Sequence, residues 1–488
     1  MFMARDFKRT KIICTIGPKS ESKEIMSQLV DAGMNCIRMN FSHGTYDEHL
    51  QRIKTIREIN AEKGTYVATM LDTKGPEIRT HTFANGDEPT IIEAGSKVKL
   101  YMTEVLGNAE QFSINYSGLI DDVDIGSILL VDDGYLELRV LDKCEDQIGR
   151  YLLTEALNTH GVKNRRGINV PGVRLNMPFI SEKDRQDIIF ACENEVDFIA
   201  ASFVRRASDV LEIRELLKEH NGERIQIIAK IENLEGVRNV EEIIEVADGI
   251  MVARGDLGVE IPPEEVPVIQ KQIIKLCNEA GKIVVTATQM LESMINNPRP
   301  TRAEVSDVAN AILDGTDAVM LSGESAMGKY PVRACRTQAM IAKRMELEID
   351  HEMMINRAIY SSPHTIESAI GLSVADSAAD LGASVIVAAT MSGYTARLIS
   401  KYRPACPIIA VTPSQQTARS LALNWGVIPV VIEEANSSEE LVLIAEKVAI
   451  EFAELKPGEI AIITAGVAKQ RTTNMMKIFE VPKNLKEV

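Results

Sequence analysis

The nine residues IQIIAKIEN at positions 225–233 alternate in polarity with a period of two. In an extended chain successive side chains point to opposite faces, so Ile225, Ile227, Ala229 and Ile231 share one face and Gln226, Ile228, Lys230 and Glu232 the other. The first face predicts a strand lying against helices. The second ends in an ammonium and a carboxylate one pleat apart, where the strand runs into NLEG (residues 233–236). Alone, a Lys and a Glu two apart on a strand are an ordinary ion pair. Their companions on other strands single them out.

Upstream, KIICTIG (residues 11–17) leads to a helix with Ser20 and Ser22 as N-caps, which stops at Gly33. In NCIRMNFSHG (residues 35–44) the alternation puts Cys36, Arg38, Asn40 and Ser42 on one face. A helix over residues 46–63 follows, then YVATMLD (residues 66–72), which ends at Asp72 and Thr73. The rhythm resumes with DFIAASF (197–203), the stretch at 225, GIMVARGD (249–256), KIVVTATQ (282–289) and DAVMLSG (317–323). Helices are expected at 181–195, 208–221, 263–280 and 302–313. Eight such units predict a closed (β/α)8 TIM barrel, whose functional groups gather where the strands end.

Residues 74–170 interrupt the rhythm with SKVKLYM, SILLVDD, YLELRVL and GRYLLTEA, short alternating runs separated by turns such as Asp133-Gly134. They predict a small all-β domain inserted at a strand end, a lid over the barrel mouth hinged at Gly75-Pro76 and Pro171-Gly172. A long helix from about Cys335 is expected to leave the barrel. Beyond it ASVIVAAT (383–390), PIIAVTP (407–413), VIPVVIE (427–433) and GEIAIITA (458–465) predict an open, mostly parallel α/β sheet. The division is thus barrel at 1–73 and 171–345, lid at 74–170 and a C-terminal α/β domain at 346–488.

A net charge of −16 speaks against nucleic acid, which is held by excess Lys and Arg. Seven scattered cysteines without a CxxC pair suggest reduced thiols and a cytoplasmic protein. The seven histidines lack metal-ligand spacing, and His43 and His49 suit surface or supporting roles. The opening residues carry too short an apolar run for a signal peptide, and no stretch is apolar enough to span a bilayer.

The polar strand ends are Arg38, Asn40, Ser42, Asp72, Thr73, Lys230, Glu232, Asp256, Thr286 and Thr288. Two carboxylates with oxygen-bearing neighbours and neither His nor Cys suit a hard, partly hydrated cation, Mg2+ (or Mn2+) rather than zinc. Arg and Lys beside that cation suit a phosphate or carboxylate, and the set fits phosphoryl transfer. A Mg2+-enolate lyase or aldolase on the same barrel, or a sensor of phosphorylated metabolites, are the alternatives. GESAMGK (residues 323–329) imitates a nucleotide phosphate loop, but Tyr330 stands where a metal-binding Ser or Thr belongs, so a tight turn is expected.

NFSHG (40–44), DTKGPEIR (72–79), AKIEN (229–233), ARGDLGVE (253–260), TATQMLESM (286–294), PTRAEVSDVANAILDGTDAVMLSGE (300–324) and KYRPACPIIAVTP (401–413) together resemble pyruvate kinase. The resemblance implies a barrel, a lid and a C-terminal α/β domain, and conversion of phosphoenolpyruvate and ADP to pyruvate and ATP. It implies that Arg38 holds the substrate phosphate and Lys230 offsets charge on the phosphoryl group. Glu232 and Asp256 would ligate Mg2+, and Thr288 with the Gly255 and Asp256 backbone would seat the substrate carboxylate, Thr288 lying near the path of enolate protonation. Asn40, Ser42, Asp72 and Thr73 match K+ ligands, and Glu77 matches the form found in K+-requiring members. Arg79 and Arg166 match nucleotide contacts, with Arg166 where the family usually has Lys. TMSGYT (390–395), which follows a strand and opens a helix, resembles the loop for a phosphorylated effector, through Thr390, Ser392, Gly393 and Thr395. Lys469 and Arg471 in the late loop could reach an anion. A homotetramer is implied as well.

Overall fold

Eight parallel strands close into a barrel in sequential order: β1 (Lys11–Thr15), β2 (Cys36–Asn40), β3 (Ala68–Asp72), β4 (Phe198–Ala201), β5 (Gln226–Ile231), β6 (Gly249–Ala253), β7 (Ile283–Ala287) and β8 (Ala318–Leu321). The computed structural model describes residues 7–86, 88–361, 364–466 and 473–483. In β5 the period of two is realised as read. Ile225, Ile227, Ala229 and Ile231 join the apolar layer between barrel and helices, while Ile228 joins an inner cluster with Ile13, Met70, Phe198 and Met251. Each fully buried isoleucine contributes about 1.5–3 kcal/mol.

The helices start and stop where local chemistry directs. Ser22 caps Lys23–Ala32, and Gly33, at φ 110°, ends it in a left-handed conformation costly for any residue with a Cβ. Thr45 and Glu48 form a reciprocal capping box for Tyr46–Lys63, as do Thr301 and Glu304 for Arg302–Asp314. The helix Pro331–Met345 corrects one expectation. It does not leave the barrel but packs beside Lys23–Ala32 and Arg302–Asp314, with Ala334, Cys335 and Ala342 fully buried. Its apolar face completes the helical ring. The residues 323–329 form one helical turn, Gly323–Ala326, whose Glu324 accepts from the Leu291 and Ser322 N–H groups.

Between β3 and the helix Glu182–Glu193 lies a seven-stranded sheet, ordered Ile78–Arg79, Gly167–Asn169, Ile128–Val131, Leu136–Glu145, Arg150–Ala156, Lys97–Tyr101 and Gln111–Ser113. The paired strands Thr90–Ile92 and His160–Val162 and one helical turn, Leu119–Asp122, complete it, so the segment is not wholly β. It has an apolar core of its own.

The C-terminal sheet runs Val427–Val431, Ile408–Thr412, Val385–Ala389, Ile460–Ala465, Met475–Glu480. The last strand is antiparallel and is an addition to the four read from the sequence. Among the described residues, no helix is long and apolar enough to cross a membrane.

The foot of the barrel shows a fourfold device. The residue before each even strand accepts a hydrogen bond from a backbone N–H of the preceding odd strand: Asn35 from Ile12 at 3.0 Å, Asp197 from Thr69 at 2.9 Å, Asp248 from Ile227 at 2.8 Å and Asp317 from Val284 at 2.9 Å. Each acceptor also meets a cation: Lys8, Arg419, Arg214 and Arg403 respectively. Arg403 and Arg419 come from the C-terminal region, which also sends Ala422 and Leu423 into the inner apolar cluster. The far domain therefore seals the barrel from below.

Candidate active site

The upper ends of the inward faces are polar. Lys230 Nζ lies 2.9 Å from Glu232 Oε1, 3.1 Å from Asp72 Oδ1 and 2.7 Å from Ser202 Oγ. Arg38 Nε reaches the other Asp72 oxygen at 2.5 Å, and its Nη1 donates to Thr15 Oγ1 at 3.0 Å. Strand register creates this meeting, because Asn40 pairs with Asp72 and Asp72 with Ala200, two residues before Ser202. Ser202 and Thr15 were not singled out from the sequence. Their position just beyond, or at the end of, a strand was the available signal.

Burial would lower the Lys230 pKa, but Asp72 and then Glu232 outweigh it, so the ammonium is held more firmly than usual. Burial likewise pushes Asp72 up, and Arg38 and Lys230 more than reverse it, leaving a firmly ionised carboxylate. In Glu232 burial wins over Lys230, and Asp256 adds to it, raising the pKa to about 7. Glu232 Oε2 also accepts from the Phe203 N–H at 2.6 Å. Asp256 sits in the first turn of the helix Arg254–Glu260. Its carboxylate has no hydrogen bond or ion pair among the described residues. Two acids that repel each other, one of them without a partner, form an oxygen set suited to a hard cation.

Thr286 corrects another expectation. It is fully buried and bonds Thr316 Oγ1 at 3.0 Å, in the layer outside the barrel. Strict alternation would send Thr288 the same way, but Thr288 and Gln289 adopt φ of 65° and 55°. The turn brings the Thr288 hydroxyl to the rim, where it accepts from the Gly255 N–H at 2.8 Å. Arg254 holds this unfavourable β-branched conformation by donating to the Thr288 carbonyl at 2.7 Å, and is itself anchored on Asp307 at 2.7 Å.

The remaining K+-type oxygens adjoin this cluster. Asn40 Oδ1 accepts from the Ser42 N–H at 3.0 Å, and Thr73 Oγ1 accepts from the Ser202 N–H at 3.1 Å. Both Asp72 oxygens are engaged by cations. From the inserted sheet, Arg79 pairs with Glu77 at 2.6 Å, and Arg166 approaches Asp132 at 3.5 Å. Asp256 acts electrostatically on both Arg79 and Asp133, and Asn169 donates to Glu260 at 3.0 Å. The inserted sheet thus faces the helix that carries Asp256.

Gly75 and Gly172, where the chain leaves and re-enters the barrel, have φ of 73° and 75°. A Cβ on Gly75 would lie 2.8 Å from the Cβ of Ser202. Gly75→Ala is expected to lower stability by about 2 kcal/mol or more, through left-handed strain plus overlap, and to perturb Ser202 beside Lys230. Denaturant unfolding would show this as a lower midpoint.

Two side groups fall elsewhere. His49 is not at the surface; it stacks on Phe41 at 3.9 Å, and burial first, then Arg52, lowers its pKa to about 4. In the C-terminal domain Gly393, at φ 84°, precedes the helix Tyr394–Lys401, and Ser392 is exposed. Thr390 and Thr395 are buried, with Thr395 Oγ1 2.7 Å from Thr473 Oγ1. Lys469 and Arg471 lie outside the described residues.

A closed barrel with a cation–carboxylate cluster at its strand ends, faced by a separate sheet, defines a (β/α)8 enzyme acting on an anionic substrate. The pyruvate kinase barrel domain matches residues 7–335, and the pyruvate kinase alpha/beta domain matches residues 368–479. The chain belongs to the pyruvate kinase family. It is 54% identical over 476 residues to pyruvate kinase of Geobacillus stearothermophilus, covering 97% of this chain and 80% of the relative. It is 53% identical over 475 residues to that of Bacillus licheniformis, with the same coverages. A crystal structure of a pyruvate kinase from Cryptosporidium parvum superposes with a TM-score of 0.92 at 44% identity, over 97% of this chain and 96% of that one. The lyase and sensor alternatives give way to a phosphotransferase.

Proposed function

We propose that the rim cluster transfers the phosphoryl group of phosphoenolpyruvate to ADP, giving pyruvate and ATP. The observation that carries this reading is the Lys230 ammonium, buried within 3.1 Å of Asp72 and Glu232 and sharing Asp72 with Arg38. Arg38 grips the substrate phosphate, and Lys230 offsets charge on the group in transit. The Thr288 hydroxyl and the Gly255 and Asp256 backbone seat the carboxylate, and Thr288 borders the route by which the enolate is protonated. Arg79 and Arg166 hold the nucleotide from the lid, which excludes water from the transfer.

Glu232 and Asp256 would hold Mg2+ (or Mn2+), which supplies charge neutralisation for the phosphate and the enolate oxygen. Asn40, Ser42, Asp72 and Thr73 would hold K+. The loop of Thr390, Ser392, Gly393 and Thr395 would bind a phosphorylated effector, supported by its uncapped position before a helix. The seven free cysteines support a cytoplasmic setting, and family membership a homotetramer.

Turnover of phosphoenolpyruvate with ADP, coupled to lactate dehydrogenase and with each cation varied separately, tests the assignment. Activity should vanish without a divalent ion. Replacing K+ by tetramethylammonium should lower it at least about tenfold, since an oxygen-lined site loses its counter-charge. Equal turnover in K+-free buffer would remove the K+ ligand set.

A further inference from the structure

Between the barrel's foot and the C-terminal domain lies a shallow cleft that opens to solvent. Lys282, Arg397, Lys401 and Arg403 line it, with Asp317 the one acid among its walls. Arg403 matches that acid at 2.8 Å. The other three cations meet neutral groups. Lys282 donates to the Ala247 carbonyl at 2.6 Å, Arg397 donates to the Ser392 carbonyl at 2.8 Å, and Lys401 lies 5.9 Å from the centre of the Tyr402 ring.

Carbonyls and rings satisfy hydrogen bonds without cancelling charge. Burial accordingly lowers the pKa of Lys282, Arg397 and Lys401, outweighing the more distant carboxylates of Asp248 and Glu279. Among the described residues, one buried donor at the same place lacks a partner: Nε of Arg403, which is 5% exposed. Gathered cations with unspent donors on opposite walls make an environment that an anion would complete.

We propose that this cleft binds a phosphate group, free or as a monoester, at a site separate from the loop at residues 390–395. The Arg397 guanidinium, the remaining Nε–H of Arg403 and two ammonium groups match a tetrahedral dianion better than a planar carboxylate. Barrel residue Lys282 and the C-terminal residues Arg397, Lys401 and Arg403 would grip it from both sides, so occupancy would fasten the two domains together. Arg397 touches both this cleft and the neighbouring loop, so it is left intact in the test.

Isothermal titration calorimetry with inorganic phosphate, at ionic strength balanced with chloride, is run on the full chain. Lys282→Gln/Lys401→Gln is expected to weaken binding by about tenfold or more, while Thr390→Val/Ser392→Ala changes it less than about twofold. Absence of saturable binding to the parent, wild-type affinity in the lysine variant, or loss confined to the loop variant would each overturn the proposal. If the double variant is unfolded by circular dichroism, Lys401→Gln alone, a half-exposed side chain, should still weaken binding about threefold, and parent-like affinity there overturns it. Glycerol 3-phosphate provides the second arm. Tighter binding than phosphate identifies an ester as ligand, weaker binding the free anion, and either supports the site when the lysine variant loses it.

Discussion

Lys230→Met is expected to lower kcat by at least about 10³-fold, with a smaller change in KM for phosphoenolpyruvate. The amine would act on charge that moves during transfer, so its removal is felt in the transition state more than in the bound substrate. A second effect follows from burial. The Asp72 and Glu232 side chains are each 1% exposed, and both use Lys230 as counter-ion. Losing it leaves uncompensated charge in a closed site, at a cost of about 3–5 kcal/mol in unfolding free energy. Lys230→Arg should not rescue turnover, because a planar fork cannot occupy the space between Asp72, Glu232 and Ser202. A folded Lys230→Met protein with kcat within tenfold of the parent would take the residue out of the reaction.

The second large effect is expected far from the chemistry. In Arg419→Ala the Asp197 carboxylate, 1% exposed, loses its cation at 2.8 Å while still accepting from Thr69. Burial already raises the Asp197 pKa against the pull of Arg419. Removing that partner should cost about 3–5 kcal/mol. Arg214→Ala is the internal comparison, since its pair with Asp248 has side chains 33% and 32% exposed. Solvent screening limits that loss to about 1 kcal/mol or less. Denaturant midpoints of the two variants, compared with equal m-values, decide the matter. Equal losses would mean that burial does not set the strength of the ring at the barrel's foot.

The barrel was legible because its strands carry one apolar and one mixed face, and the mixed face turns polar at the same end each time. Lys230 and Glu232 could be chosen from a single strand, and register then brought Asp72 and Arg38 to them. What escaped detection lacked such a signal. Ser202 is an unremarked hydroxyl after an apolar run, significant only because β3 and β4 are adjacent. Thr286 was misplaced by being grouped with Thr288: it keeps period two and faces outward, while Thr288 leaves the extended region and turns to the rim. Met475–Glu480 is an edge strand whose faces are both partly exposed, so its polarity pattern is weak. Pro331–Met345 shows an apolar stripe, but the stripe does not say which neighbour covers it.

Leu423, wholly enclosed among side chains of the inner barrel, acts as a stopper supplied by the C-terminal region. A chain cut off after residue 345 would keep every rim residue, yet it would open a greasy shaft to water at the opposite end. Such a fragment is expected to clump rather than turn over substrate, because the catalytic half cannot seal its own axis.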